Sequence, residues 1–197
     1  MKTDWKRNLN VPNGLTMLRF LMIPLYIVLF VKGQKYWALF TFLLAGCTDV
    51  LDGWIARRYN LITDFGKLMD PLADKLMGIT ALFSMTIGTA QIPPVVPWAV
   101  VIVIVAKELL MMLGGLFMLG KRIVVYSRPI GKAAQALLTL GLTASFFHDR
   151  LAALWSFSLS PDALLLYAAM TLTLIALAFY AASCVRQLKT KSQTDGE

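Results

Sequence analysis

Four aspartates stand close together in an otherwise apolar stretch: Asp49 and Asp52, three residues apart, and Asp70 and Asp74, four apart. On helices, each of those spacings puts a pair on a single face. Two adjacent antiparallel helices joined by the segment between them would aim all four carboxylates into one cleft. Acid at membrane depth is costly and marks functional sites. Burial and mutual repulsion both oppose four neighbouring negative charges, so such a set calls for cations. Oxygen-only donors suit the hard ions Mg²⁺ or Mn²⁺, and no histidine or cysteine accompanies the cluster to favour zinc.

A plainer explanation, helix capping, covers at most one of the four. Asp70 immediately precedes Pro71 and reads as an N-cap followed by proline at the first helical position. Asp49 has apolar residues on both sides and cannot be explained that way. Around the acids lie Gly53, Ala56, Arg57 and Gly66. Small residues let a phosphate approach the backbone, and an arginine beyond Asp52 supplies a charge-assisted phosphate contact. Together these residues spell metal-assisted phosphoryl transfer.

The elements that must position them follow from composition. Of 197 residues, 58% are hydrophobic and only 15% charged, which excludes an ordinary soluble globule. Apolar runs at about 15–31, 36–56, 69–90, 94–118, 130–147 and 163–184 predict six transmembrane helices, at ~20 residues per crossing. The expected organisation is a basic juxtamembrane lead (1–14), a six-helix catalytic domain (15–185) and a polar cytoplasmic tail (186–197), disordered from Lys189. The lead is not read as a cleaved signal peptide, and its Trp5, Lys2, Lys6, Arg7 and Leu9 could lie along the membrane surface.

Loop charges set the expected orientation. Lys2, Lys6, Arg7, Arg57, Arg58, Lys67, Lys121, Arg122, Arg128, Lys132, Arg186, Lys189 and Lys191 flank one side, against Lys32, Lys35 and Arg150 on the other. The positive-inside rule then puts both termini and the acid-bearing loop at the cytoplasmic face. The net charge of +8 becomes a topology signal and an attraction to anionic lipid, with no nucleic-acid partner implied. Cys47 and Cys184 read as two buried thiols without a C-x-x-C partner, and His148 falls in an outer loop, on the wrong side for catalysis.

From Asp49 to Asp74 the chain reads D-V-L-D-G-W-I-A-R-R-Y-N-L-I-T-D-F-G-K-L-M-D-P-L-A-D. This matches D-x-x-D-G-x-x-A-R-x8-G-x-x-x-D-x-x-x-D, and the chain resembles the CDP-alcohol phosphotransferase family. The opening N-V-P-N-G-L-T-M-L-R at Asn10–Arg19 is similar to that of bacterial phosphatidylglycerophosphate synthases and the related cardiolipin synthases. The resemblance implies that Asp49, Asp52 and Asp70 hold two divalent cations, with Asp74 joining them and acting as general base. It also implies a CDP site lined by Asp52, Gly53, Ala56, Arg57 and Gly66. The reaction implied is transfer of a phosphatidyl group from CDP-diacylglycerol, with release of CMP, by a homodimer in the cell membrane whose active site faces the cytoplasm.

The acceptor is less sharply marked. Glycerol-3-phosphate needs cations, for which Arg19, Lys107, Arg128 and Lys132 are the candidates; Arg19 reads equally as a helix-end snorkel and Lys107 as half of an internal ion pair. Ser127, Gly131, Lys132 and Gln135 are similar to a segment of phosphatidylglycerophosphate synthases. Those enzymes tend to carry Arg-Glu and a further arginine on helix 4, where this chain has Lys107-Glu108 and then Gly114-Gly115. Lysine lacks the bidentate fork that suits phosphate, so phosphatidylglycerol or another alcohol stays open as acceptor. A different class, a cation- or proton-coupled transporter, would show inverted repeats and acids near the midplane; helices 4–6 do not repeat the pattern.

Overall fold

A computed structural model describes residues 11–59, 63–120, 129–155 and 159–194. Among these the chain is all helical, with α1 (Val11–Val31), α2 (Lys35–Arg58), α3 (Asp64–Ile87), α4 (Trp98–Gly120), α5 (Pro129–Ser145), α6 (His148–Ala153) and α7 (Pro161–Thr194). It divides into two compact units, Met1–Val95 and Val96–Glu197.

In the first unit, α1 packs along both α2 and α3, which touch each other less. Small residues on the facing helices, Ala38 and Ala45 on α2 and Ala73 and Ala81 on α3, are buried, as are Tyr26 and Phe30 of α1, whose rings stack 5.9 Å apart. The α1–α2 turn requires a left-handed residue and has Gly33 at φ +73°; a Cβ there would stand 2.5 Å from Gln91 Oε1.

Helix α3 differs from the expected third span. It begins at Asp64, five residues before 69, because Thr63 is its N-cap: the Thr63 hydroxyl accepts from the Gly66 N–H at 3.0 Å. Asp70 and Pro71 therefore lie inside the helix, and the capping explanation for Asp70 falls. The helix stops at Gly88, with φ +69°.

In the second unit, α5 and α4 pack on α7. Gly141 of α5 admits Leu166, whose Cδ2 would lie 3.0 Å from a Cβ at that position. Pro129 and Pro161 open their helices at positions where the missing N–H costs nothing.

Among the described residues, four helices are long and apolar enough to cross a membrane: Asn13–Val31, Lys35–Ile55, Trp98–Gly115 and Pro161–Leu188. This is the composition of a membrane protein, with four of the six expected spans supported. The other two expected spans fall on α3, which carries Asp70, Asp74 and Lys75 in its body, and on α5, which at 17 residues is at the short end of what crosses a bilayer. Two smaller expectations are corrected: the stretch from Lys189, read as disordered, is helical through Thr194, and Cys47, read as buried, is exposed while Cys184 is buried.

Candidate active site

Helix α1 supplies what the acid-bearing helices lack. Asn13, Thr16 and Arg19 recur at intervals of three, which sets them along one strip of the helix, and all three are buried. Arg19 is only 1% exposed and spans the first acid pair: Nη2 donates to Asp52 Oδ2 at 2.6 Å, and Nη1 stands 3.0 Å from Asp49 Oδ1 as an ion pair without hydrogen-bond alignment. Its Nε donates to the Ala45 carbonyl at 3.3 Å, one turn earlier on α2. Asp49 and Asp52 thus share a helix face, as their spacing requires, but the group they face belongs to α1.

Asp70 of the second acid pair is tied to the same strip. Thr16 donates its hydroxyl to Asp70 Oδ1, and Asp52 lies within Coulombic reach of both Asp49 and Asp70. Asp74, half-buried, follows Asp70 by one turn. Beside them Thr63 donates to Asn13 Oδ1 at 3.1 Å while accepting from Gly66, so one hydroxyl both caps α3 and ties it to α1. The close approach at Gly66 is accounted for within the chain: a Cβ would stand 2.9 Å from Asn13 Oδ1, 3.2 Å from Thr63 Oγ1 and 3.5 Å from Asp70 Oδ2.

Asn13, Thr16 and Thr63 were not picked out by sequence reasoning. The signal available was the polar interval of three in an apolar helix, with an N-cap threonine three residues before Gly66. Arg19, read as an acceptor ligand or a snorkelling residue, is buried against the α2 acid pair.

The remaining candidates divide. Gly53 is half-buried beside Asp52. Ala56 and Arg57 lie on α2 with side chains outside the described residues, and Arg128 is outside them altogether. Lys107 and Lys132 belong to the second unit, where Lys107 forms an ion pair with its neighbour Glu108 and Lys132 is exposed. Gly114 faces Tyr180, whose Cε1 would lie 3.3 Å from a Cβ there, so the small residues on α4 make room for an α7 ring. His148 pairs through Nδ1 with the buried Asp162 at 2.9 Å.

Among the described residues, no three acidic, histidine or cysteine side chains converge as a ready set of metal ligands. The donor chemistry nonetheless fits a hard cation. All the donors are oxygens, and the pair Asp49 and Asp52 already seats a positive group, leaving one oxygen of each not taken by Arg19.

Comparison with known proteins joins this geometry to a lineage. A 72-residue stretch is 51% identical to the CDP-diacylglycerol–glycerol-3-phosphate 3-phosphatidyltransferase of Rickettsia typhi, covering 34% of this chain and 40% of that protein. The matches to the Rickettsia relatives thus span about two fifths of those proteins' length. The Bacillus subtilis protein of the same name is 30% identical over 155 residues, 71% of this chain and 78% of its own. A cardiolipin synthase (CMP-forming) of Streptomyces coelicolor is 33% identical over 122 residues, 59% of this chain and 54% of that protein. The family model for CDP-alcohol phosphatidyltransferases matches residues 9–181, taking in α1 with its Asn13–Thr16–Arg19 strip as well as the four aspartates. On that match the chain belongs to the CDP-alcohol phosphatidyltransferase family.

Proposed function

We propose that this protein transfers a phosphatidyl group from CDP-diacylglycerol to glycerol-3-phosphate, giving phosphatidylglycerophosphate and CMP. The observation that carries the proposal is the α2 aspartate pair held against a buried arginine of α1, with Asp70 of α3 bonded to Thr16 one turn away, in a chain whose relatives bear the name of that activity. Asp49, Asp52, Asp70 and Asp74 are the residues that would hold two divalent cations, Mg²⁺ or Mn²⁺. When bound, those ions neutralise the diphosphate of the donor. Gly53, Ala56, Arg57 and Gly66, with Asp52, are the proposed cytidine diphosphate contacts. Asp74 takes the proton from the acceptor hydroxyl, whose oxygen bonds to the lipid-bearing phosphorus. The bond from that phosphorus to the CMP oxygen breaks, and CMP leaves with the electron pair. The site faces the cytoplasm in this reading, and the enzyme works as a homodimer in the cell membrane.

Phosphatidylglycerol as acceptor is the second reading. It is favoured by the Lys107–Glu108 pair, which matches the charge of the helix-4 cation within the chain, and by the Streptomyces relative's name. An acceptor panel separates the two: purified protein, CDP-diacylglycerol and each alcohol in turn, with MgCl₂, MnCl₂ or EDTA, reading lipid product by mass. Phosphatidylglycerophosphate with glycerol-3-phosphate, lost in EDTA and restored by either metal, is the expected result. Cardiolipin formed from phosphatidylglycerol alone would replace the first reading by the second.

A further inference from the structure

Arg19 is held more firmly than charge balance requires. Its guanidinium is 1% exposed, faces Asp49 and Asp52 through its two terminal nitrogens, and is anchored through Nε to the Ala45 carbonyl of the helix that carries both acids. Two hydrogen bonds, from Nε to Ala45 and from Nη2 to Asp52, fix the guanidinium plane on α2 and so set the charge of Nη1 3.0 Å from Asp49 Oδ1. The fork engages Asp49 Oδ1 and Asp52 Oδ2, leaving the other oxygen of each for a different partner. Burial also prevents it from swinging out to solvent, so it is built as a permanent neighbour of the acids and not as a placeholder that departs when another cation arrives.

We infer that Arg19 is a positioning residue that orients Asp49 and Asp52 for divalent-cation binding, acting from α1 through its planar fork. The inference rests on the metal-dependent reading above and adds a residue that neither holds the ion nor touches substrate. Partners that orient ligating carboxylates typically govern metal affinity by about 10–100-fold. The fork matters as much as the charge, because a lysine ammonium is a point donor on a flexible stem and cannot anchor on the Ala45 carbonyl, hydrogen-bond Asp52 and face Asp49 in one fixed plane.

The test is direct Mn²⁺ binding to the purified full-length protein without substrate, following the free-ion signal by electron paramagnetic resonance during titration with MnCl₂. Wild type is compared with Arg19→Lys and Arg19→Gln, each checked for a cooperative thermal transition and an unchanged elution volume. Both variants are expected to bind Mn²⁺ at least ten-fold more weakly, although Arg19→Lys keeps the charge. Wild-type affinity in Arg19→Lys would reduce Arg19 to a charge balancer and overturn the inference. Tighter binding in Arg19→Gln would overturn it too, by making Arg19 a competitor of the metal. If Arg19→Gln does not fold, Arg19→Lys alone decides. Absence of Mn²⁺ binding by wild type, with turnover persisting in EDTA, would remove the metal-dependent reading itself. Binding by wild type that Arg19→Lys leaves unchanged would remove only the role given to Arg19.

Discussion

A buried guanidinium between two carboxylates is a liability if any member is lost, because breaking a buried pair leaves a charge without a partner, at a cost of about 3–5 kcal/mol. Asp52 is the sharper case of the two acids, being 2% exposed where the Asp49 side chain is 40% exposed. The residues around this group therefore separate into those that hold the fold and those that do chemistry. Asp74 belongs to the second kind in the proposed mechanism: Asp74→Asn is expected to lower kcat by about 10²–10⁴-fold with KM little changed and the thermal transition intact, read as CMP release with saturating acceptor. Gly66 belongs at least partly to the first. Gly66→Ala would press a methyl group against Asn13, Thr63 and Asp70, and a stability loss of about 1–3 kcal/mol is expected in a denaturation titration in detergent. The aspartates were legible in the sequence because acid in an apolar run is conspicuous and its spacing has one helical meaning. Asn13 and Thr16 were not, because a lone amide or hydroxyl in an apolar helix usually bonds its own backbone, as Thr41, Thr86 and Thr139 do here.

Helix α3 depends on its first turn. Thr63 accepts from Gly66 and donates to Asn13, so helix initiation and docking onto α1 share one hydroxyl. Thr63→Val, which keeps the shape and removes the oxygen, is expected to cost about 1 kcal/mol through the cap, with a further loss from leaving Asn13 Oδ1 without that donor. A double-mutant cycle with Asn13→Ala would show the coupling as a non-additive remainder. The helix start was misplaced in the sequence reading because Asp70-Pro71 imitates a cap, and proline is tolerated early in a helix. Thr63 stands seven residues, about two turns, earlier and wins because its oxygen meets the Gly66 N–H. The sequence reading placed the acids on two helices; that a third lies along both could not be read from spacing within α2 and α3, since it depends on how α1 packs across them.

At the scale of the whole molecule, composition and loop charge specify a membrane protein and propose a side for its acids. A reporter fused after residue 197 offers a check: a fused alkaline phosphatase, active only outside the cytoplasm, is expected to be inactive, and a fused green fluorescent protein to fluoresce. The reverse pattern would turn the charge-based orientation over. Helix lengths were legible only where the apolar run and the helix coincide. In α7 they part, since the helix runs 34 residues, about 50 Å at 1.5 Å per residue, well beyond the ~30 Å of a hydrocarbon core. The pairing of Arg19 with Asp49 and Asp52 has a consequence for biogenesis. Each of these residues resists transfer into lipid, by about 2.5–3.5 kcal/mol at a helix centre and less near its end. Arg19 is synthesised first, and α2 follows directly across the Gly33 turn. If α1 and α2 enter the bilayer together as a helical hairpin, opposite charges meet during insertion, and the penalty that each helix would carry alone is largely cancelled before α3 emerges.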